Sequence, residues 1–537
     1  MVSTQQQHRG QPQKKPKDVV AKTIKTLAVR QTATHAASAA AASRARAPQA
    51  MRVLRPCPED KSLVLVAPQS VGVDPAMLRE YEEAMRRAAK HGVIPGCASV
   101  ILRRGELVQA KGFGFADIQA RKPFRLNSIC RIFCMTKTYV AVVFMSLLEE
   151  GLVALEDPVA KYVPSFANVR VAVDGGAGRA SAGLVRPRRL MRLRHLLNHT
   201  SGLGYGADLG EKPQGVAQEG YAKVMRAVDN MAVRSLTDFI DRLAEVPLSS
   251  HPGDRYYYGF STDVLGRVCE VVTGMSLDEC LKERLFKPLR MDDTGFAVPD
   301  SKLQRLAACY CSSHTSDLFY GHDRAKAPCA AWHGLHRMDG SCAAESNWRE
   351  GHACTILAGG GFLAGYRGGL VSTVADTTRF LRMLIRNGLS WCGKRVLREE
   401  TLAEMERDQL DPAFRKQEER QCLFGVLGGF SGEEFGWGGA ACTYWSLDRK
   451  EDVAVIWFTQ HLDMPEWEDQ QVVDPAKADI WTTIHTATRP KGKAAKGKAM
   501  ATPDVAGQKR MRESGESRVV APRTAASVSS RLVGRAA

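Results

Sequence analysis

The sequence predicts an α+β fold that combines antiparallel strands with helices. Pairs of apolar runs joined by polar turns occur near both ends of the central region, and such pairs are typical of β-hairpins. Between them, apolar residues recur at the spacing of amphipathic or buried helices. The paired runs are 97–102 with 107–113 and 435–445 with 453–458, and the helical stretches are 71–92, 139–148 and 264–274.

The distribution of charge confines the folded region to the middle of the chain. The 537 residues carry a net charge of +17, yet residues 1–57 hold eleven basic side chains and one acidic, and residues 489–537 hold twelve and three. The body therefore has a net charge of about −2. Because the tails have few large apolar residues, we expect disorder at 1–61 and 488–537 and a single folded unit at 62–487.

The first tail bears on localisation. It lacks the apolar core of a secretory signal peptide, and no run of 18 apolar residues occurs, so we expect a cytoplasmic protein without a transmembrane segment. Its basic residues and single acid, Asp18, are also typical of a transit peptide, which makes an organelle the alternative. Neither tail contains an aromatic residue, so we expect no specific nucleic-acid partner.

The first two elements of the folded unit are expected to be structural. The helix at 71–92 is entered through Asp74-Pro75, a typical N-terminal signal, and its last turns carry basic residues that suit the helix dipole. The hairpin at 97–113 turns at 103–106, where Arg-Arg-Gly-Glu interrupts the apolar runs. An antiparallel sheet therefore begins before the second helix.

The second helix begins near Cys134 and is stopped by Gly151. Lys137 lies three residues after Cys134, and residues at this spacing share one face of a helix, so the amine can reach the sulfur. The unpaired N–H groups of a first helical turn also favour negative charge. This arrangement favours a thiolate at Cys134, which makes Cys134 a candidate nucleophile.

Two loops that follow contain candidate polar groups. His199 and Ser201 lie beside a Gly turn, and such close neighbours are more often hydrogen-bonding loop residues than a hydrolase pair. Tyr258 precedes the helix that ends at Gly274, a place where tyrosines usually pack. A phenol near a lysine can also pass a proton between a nucleophile and a leaving group, so Tyr258 is a second candidate.

The remaining features concern metals and phosphates. Cysteines and histidines are dense at 309–354, but their spacing is not that of a zinc finger, so we favour a surface insertion over a metal site. The glycines at 359–361 and 368–369 lack the Gly-Lys-Ser/Thr of a P-loop. Gly438 and Gly439 would weaken a merely structural strand, which indicates a close approach to the backbone there.

Taken in order, these stretches resemble the β-lactamase-related family of serine hydrolases, which includes class C β-lactamases, carboxylesterases, D-aminopeptidases and some acyltransferases. The resemblance covers about residues 71–460. It implies a penicillin-binding-protein-like fold, in which an antiparallel sheet flanked by helices carries an inserted, mainly helical subdomain. The stretches are the early hairpin, 134–137, 199–203, 252–258 and 437–439.

The resemblance also implies roles for residues. Cys134 takes the place of the nucleophilic serine, Lys137 that of its proton acceptor and Tyr258 that of the general acid/base. Trp437, Gly438 and Gly439 take the place of the Lys-Thr-Gly strand that contacts substrate. The backbone N–H groups of Cys134 and Ala440 would form the oxyanion hole. No metal or other cofactor is implied.

Three departures from the family pattern shape the expected function. Cys134 replaces serine, Trp437 replaces a basic residue that many β-lactamases carry, and Gly259-Phe260 stand where relatives often have Ser-Asn. We therefore expect an esterase-type acyl hydrolase or acyltransferase that acts on a small-molecule ester or amide through an acyl-enzyme at Cys134. The alternative is a catalytically inactive protein of the same fold with a binding or assembly role. The sequence predicts no oligomeric state.

Overall fold

The computed structural model describes residues 63–173, 183–205, 213, 215–229, 232–233, 235–312, 333–338, 368–410, 422–423, 426–431 and 434–462. Both predicted tails, 1–61 and 488–537, lie outside the described residues, as do the glycines at 359–361 and most of the cysteine- and histidine-rich segment.

An eight-stranded sheet forms the centre of the described structure, and each of its neighbouring strands is antiparallel. Its strand order is β10-β11-β12-β13-β14-β1-β2-β3, so strands from the two ends of the folded region meet where β1 pairs with β14. The strands, including three small two-stranded sheets, are β1 Gly96–Arg103, β2 Glu106–Asp117, β3 Lys122–Pro123, β4 Cys130–Arg131, β5 Val171–Val173, β6 Gly183–Val185, β7 Tyr310–Cys311, β8 His336–Arg337, β9 Val371–Ser372, β10 Cys422–Leu423, β11 Val426–Ser431, β12 Glu434–Gly439, β13 Thr443–Asp448 and β14 Val453–Phe458.

Helices cover both faces of this sheet. The helices are α1 Pro75–Lys90, α2 Thr136–Glu149, α3 Leu193–Leu197, α4 Gly215–Asp229, α5 Leu236–Ala244, α6 Ser261–Thr273, α7 Leu277–Leu281, α8 Lys287–Leu289, α9 Val374–Ile385 and α10 Glu399–Met405. The amphipathic α1 packs on one face of the sheet, and the Asp74 carboxylate caps it by accepting the Ala76 N–H at 2.8 Å. The more uniformly apolar α2 lies in the main core on the other face. Within the described ranges, no helix is both long and apolar enough to cross a bilayer.

The predicted α+β architecture is confirmed, including its mainly helical insertion. Helices α3 to α8 lie in sequence between β4 and β9, and these two strands pair with each other through Cys130 with Ser372 and Arg131 with Val371. The insertion therefore leaves the core and returns to it beside the start of α2. This arrangement brings loops of the insertion next to the predicted nucleophile.

The second predicted hairpin contains one more turn than the sequence indicated. Residues 435–445 form two strands, β12 and β13, joined by Ala440, Ala441 and Cys442. The turn closes with the Cys442 N–H donating to the Gly439 carbonyl at 2.9 Å, and Cys442 adopts a left-handed φ of 55°. Because none of the three turn residues is glycine, proline, asparagine or aspartate, the sequence gives little sign of it.

The prediction of a surface insertion at 309–354 is wrong for its described cysteines. Cys309 and Cys311 are almost completely buried, in an apolar cluster that also contains Phe133 and Ala440. A cysteine in its thiol form behaves as a small apolar side chain, which accounts for this position. Among the residues that the structure describes, no group of three or more potential ligands is placed to hold a metal ion.

Candidate active site

Cys134 lies in a tight turn that leads directly into α2. The turn spans Phe133–Met135 as one 3₁₀ segment, and α2 begins at Thr136, which confirms that Cys134 stands at a helix start. Phe133 has a φ of 40°, a left-handed conformation that is strained for a bulky side chain and costs roughly 1–3 kcal/mol. Strain of this kind persists only where surrounding contacts impose it.

Two neighbouring segments impose this turn. The Gln460 side chain holds the backbone of Arg131, accepting its N–H at 2.9 Å and donating to its carbonyl at 3.0 Å. The Ile132 N–H donates to the Leu370 carbonyl at 3.0 Å, and the Leu370 N–H donates to the Thr136 hydroxyl at 2.9 Å. Hydrogen bonds therefore fix the chain on both sides of Cys134.

Lys137 is fully buried and faces two tyrosines. Its Nζ lies 4.7 Å from the centroid of the Tyr258 ring and 5.8 Å from that of the Tyr205 ring. At these distances the Lys137 amine contacts the faces of both aromatic rings. The structure therefore brings two of the predicted residues, Lys137 and Tyr258, into contact.

Tyr258 completes the contact with the candidate nucleophile. Its side chain forms a hydrogen bond with Cys134. Burial and the neighbouring Cys134 raise the pKa of the Tyr258 hydroxyl well above its usual value. The phenol is therefore protonated at neutral pH and is available as a proton donor beside the thiol.

The loop that carries Tyr258 is fixed by residues 199–204. The Tyr257 N–H donates to the His199 carbonyl at 2.7 Å. At Gly259, a Cβ atom would collide with the Leu203 carbonyl. Glycine in place of the serine that relatives often have therefore allows two loops of the protein to approach closely. Phe260, the second departure, is buried and packs edge-on against the Tyr205 ring, with centroids 4.7 Å apart. It fills the core of the insertion.

His199 and Ser201 do not act as a pair. The Ser201 hydroxyl lies 2.8 Å from that of Ser261 and accepts the Leu203 N–H at 3.1 Å, which confirms its role as a hydrogen-bonding loop residue. The His199 ring instead packs against Tyr258, with centroids 5.1 Å apart. Burial and the charge of Lys137 lower the pKa of His199 to about 3, so the imidazole is neutral at physiological pH.

Tyr205 is a site residue that the sequence analysis did not identify. Its ring lies 5.5 Å from that of Tyr258, in a T-shaped arrangement, and its hydroxyl is buried without a hydrogen-bond partner among the described residues. Both ring nitrogens of His199 are in the same situation. An unpaired buried polar atom costs about 1–3 kcal/mol, so these atoms are placed to bind a polar group of a ligand or water. Tyr205 follows a Gly turn without any motif, so the sequence gives no direct signal.

Strand β12 lines the site from the other side. Trp437 is buried, with 2% of its surface exposed, and its ring lies 6.0 Å from Tyr258 and 6.1 Å from His199. A Cβ atom at Gly439 would collide with the carbonyl oxygen of Ile132. The segment just before Cys134 therefore makes the close approach to the backbone of β12 that these glycines predict. This contact holds the end of β12, and with it Ala440, beside the turn that contains Cys134.

Solved structures and known proteins support the same assignment of fold. EstCE1, described as a hydrolase with promiscuous acyltransferase activity, has a TM-score of 0.55 at 22% identity, covering 72% of this chain and 94% of that one. Protein Rv1367c of Mycobacterium tuberculosis is 28% identical over 403 residues, which are 71% of this chain and 89% of that protein. Esterase EstB of Burkholderia gladioli is 31% identical over 249 residues, which are 45% of this chain but 57% of the esterase.

A family model extends this likeness over most of the chain. The model described as Beta-lactamase matches residues 81–474, a range that includes the Cys134 turn, the Tyr258 loop and β12. The order of these three parts along the chain, their convergence in the structure and the extent of the match agree. The chain therefore belongs to the beta-lactamase family.

Proposed function

We propose that this protein is an esterase-type acyl hydrolase or acyltransferase that forms a covalent acyl-enzyme at Cys134. The observation that carries the proposal is the contact of one thiol, one phenol and one buried amine: Tyr258 is hydrogen-bonded to Cys134, and Lys137 lies 4.7 Å from the Tyr258 ring. The relatives add support, because they include an esterase and several acyltransferases.

The first half of the proposed reaction is acylation. Cys134 loses its thiol proton to Lys137, directly or through the Tyr258 hydroxyl, and the sulfur attacks the acyl carbon. The carbonyl electron pair moves onto oxygen, where the N–H groups of Cys134 and Ala440 would stabilise the negative charge. When the C–O or C–N bond breaks, Tyr258 donates a proton to the leaving oxygen or nitrogen and regains one from Lys137. The acyl group is then held as a thioester.

The second half reverses these roles. Water or an acceptor alcohol loses a proton to the Tyr258–Lys137 pair and attacks the thioester carbon. The C–S bond breaks, and the proton returns to Cys134. A site with Trp437 in the place of a basic side chain offers no counter-charge there for a substrate carboxylate, so we expect neutral acyl groups.

The direct test is to trap the acyl-enzyme. Full-length protein is mixed with a p-nitrophenyl ester, and its intact mass is measured at short times together with nitrophenol release. We expect one acyl group, which peptide mapping assigns to Cys134, and none on the Cys134→Ala variant. Cys392→Ala removes an exposed thiol on another part of the described surface and is the matched control. Equal adducts on wild type and Cys134→Ala, or an adduct only at other cysteines, would contradict the proposal.

A further inference from the structure

A strip of exposed arginines adjoins the loop that carries Tyr258. The arginine strip comprises Arg170, Arg186, Arg188, Arg189, Arg192 and Arg255, all exposed to solvent. Pairing of Val171 with Val185 in the β5–β6 hairpin makes Arg170 and Arg186 neighbours at its end.

Contacts join the rest of the strip to this hairpin. Arg188 and Arg189 both reach the carboxylate of Asp254, at 2.8 and 3.2 Å, and Arg255 is the next residue of that loop. The Arg189 guanidinium also donates to the Gly253 carbonyl at 3.2 Å. Arg188, Arg189 and Arg255 therefore adjoin the hairpin that carries Arg170 and Arg186, and Arg192 follows three residues after Arg189.

Carboxylates neutralise only part of this charge. Asp254 forms ion pairs with two of the arginines. Glu156 pairs with Arg192 and also with Arg194, which lies outside the strip. Arg170, Arg186 and Arg255 have no carboxylate partner among the described residues. Six positive charges against two negative ones leave a strong local excess on a body whose overall charge is about −2.

The strip also exposes large apolar side chains. Leu184, Val185 and Leu190 are 51%, 37% and 64% exposed, and they flank Arg186, Arg188 and Arg189 along one short segment. Eight large apolar residues are exposed in the described part of the chain, and three of them fall within these seven positions. Such concentration marks an interaction surface.

The excess of arginine charge and the exposed apolar side chains together indicate which kind of partner this surface binds. Arginine matches phosphate groups well, and exposed apolar side chains beside arginines are stabilised when they enter the acyl boundary below a layer of headgroups. A second copy of the same strip would bring like charges together, and nucleic acid offers no apolar phase for two leucines and a valine. We propose that the arginine strip binds the surface of an anionic lipid bilayer. This inference concerns binding and holds whether or not the chain is a catalyst.

The test must separate the strip from the basic tails, which also attract anionic vesicles. Hydrogen–deuterium exchange of the full-length protein is measured with phosphatidylserine-containing phosphatidylcholine vesicles and with phosphatidylcholine alone. We expect slower exchange across 183–190 only with the anionic vesicles. Val271, which is 41% exposed and far from both tails in sequence, gives an internal control that should not change.

A variant with three reversed charges measures the contribution of the strip to partitioning. Arg170→Glu/Arg186→Glu/Arg255→Glu should lower the partition coefficient by at least about a hundredfold at moderate salt, since each arginine near an anionic surface contributes roughly fivefold. A control with the same net charge reverses three exposed basic residues elsewhere, Arg79, Lys223 and Lys394.

Binding through the arginine strip, binding through the tails and binding to RNA each predict a different result. Loss in the strip variant but not in the control, together with protection of 183–190, supports the proposal. Equal partitioning of the two variants, or vesicle binding without protection at 183–190, would mean that the tails bind and would overturn it. Protection of 183–190 by duplex RNA but not by vesicles would also overturn it, in favour of a polyanionic partner.

Discussion

The Lys137 amine and the Tyr258 phenol ring lie 4.7 Å apart in a buried pocket beside Cys134. The ring face accounts for the position of the amine, whereas the hydroxyl accounts for the hydrogen bond to Cys134. These two contributions can be separated, because phenylalanine retains the ring and lacks the hydroxyl.

Tyr258→Phe should therefore lower the rate of acylation by about 10²–10⁴-fold, the usual contribution of a positioned acid or base. Thermal stability should change little, because the ring contacts with Lys137 and Trp437 remain. Nitrophenol release and melting temperature, measured on the same preparation, check both parts. A variant with full activity would show that Tyr258 packs against the site without transferring protons.

Cys134→Ser tests whether the thiol is the working atom of the site. The substitution restores the oxygen nucleophile of related proteins while Lys137 and Tyr258 remain, so we expect measurable esterase activity from the serine variant. A hydroxyl depends more on base assistance than a thiol does, so adding Lys137→Met should reduce the serine variant more than the wild type. An inactive wild type with an active serine variant would instead identify a retired enzyme. Inactivity of both toward esters, amides and thioesters would favour the binding or assembly alternative.

Gly439→Ala tests the link between β12 and the turn that contains Cys134. The new Cβ atom would collide with the Ile132 carbonyl, two residues before Cys134, and the turn must move to relieve it. A displacement of about 1 Å at a reacting group can reduce the rate on the order of 100-fold, so acylation should fall by more than stability does. Gly295→Ala is the control, because its nearest new contact is at 3.8 Å. Equal rates for the two variants would show that the turn absorbs the methyl group.

Trp437 gives two substitutions with opposite expectations. The side chain is only 2% exposed, so Trp437→Lys would place an ammonium in the core and should lower the free energy of unfolding by several kcal/mol. Trp437→Phe keeps an aromatic ring beside Tyr258 and His199 and should remain folded. If Trp437 also contacts the acyl group, the phenylalanine variant should alter the preference among esters of different chain length. Denaturant unfolding and a panel of p-nitrophenyl esters check these two expectations.

Local signals in the sequence were sufficient for the elements around the site. Asp74-Pro75 marks the start of α1, Gly274 adopts the left-handed conformation that ends α6, and the apolar run after Cys134 forms α2. Each of these signals depends on residues that are close along the chain. The proximity of Cys134 and Lys137 is predicted by their three-residue spacing, whereas the contacts of these residues with Tyr258 join distant segments and are expected only from the family resemblance.

Other features had no local signal. Tyr205 enters the site because Gly204 and Gly259 let two loops approach closely, and nothing beside Tyr205 in the sequence indicates that approach. Phe133 adopts its strained φ because Gln460 and Leu370, more than 200 residues away, hold the adjoining backbone. Long-range contacts of this kind are invisible in a single sequence without a known relative.

His199 links the site to the pH dependence of stability. Burial, and secondarily the charge of Lys137, lower the pKa of its imidazole to about 3 in the folded state, whereas the unfolded value is about 6.5. Between these values the unfolded chain binds more protons than the folded one, so stability falls as the pH is lowered. The contribution is complete above pH 6.5 and is lost at roughly 1.4 kcal/mol per pH unit below it.

Other buried groups also titrate in this pH range, so the contribution of His199 to stability is measured as a difference between two proteins. Burial lowers the pKa of His195 to about 4, which acts in the same direction, and raises that of Asp376 to about 6, which opposes it. Comparison of wild type with His199→Asn isolates one imidazole, and asparagine tolerates the left-handed φ of 55° at this position. The difference in unfolding free energy should be constant above about pH 7 and should change by roughly 1.4 kcal/mol per unit between about pH 6 and 4, with the wild type losing more. Parallel stability curves for the two proteins would place the protonated imidazole in a solvated position and contradict its burial among Tyr258, Trp437 and Lys137.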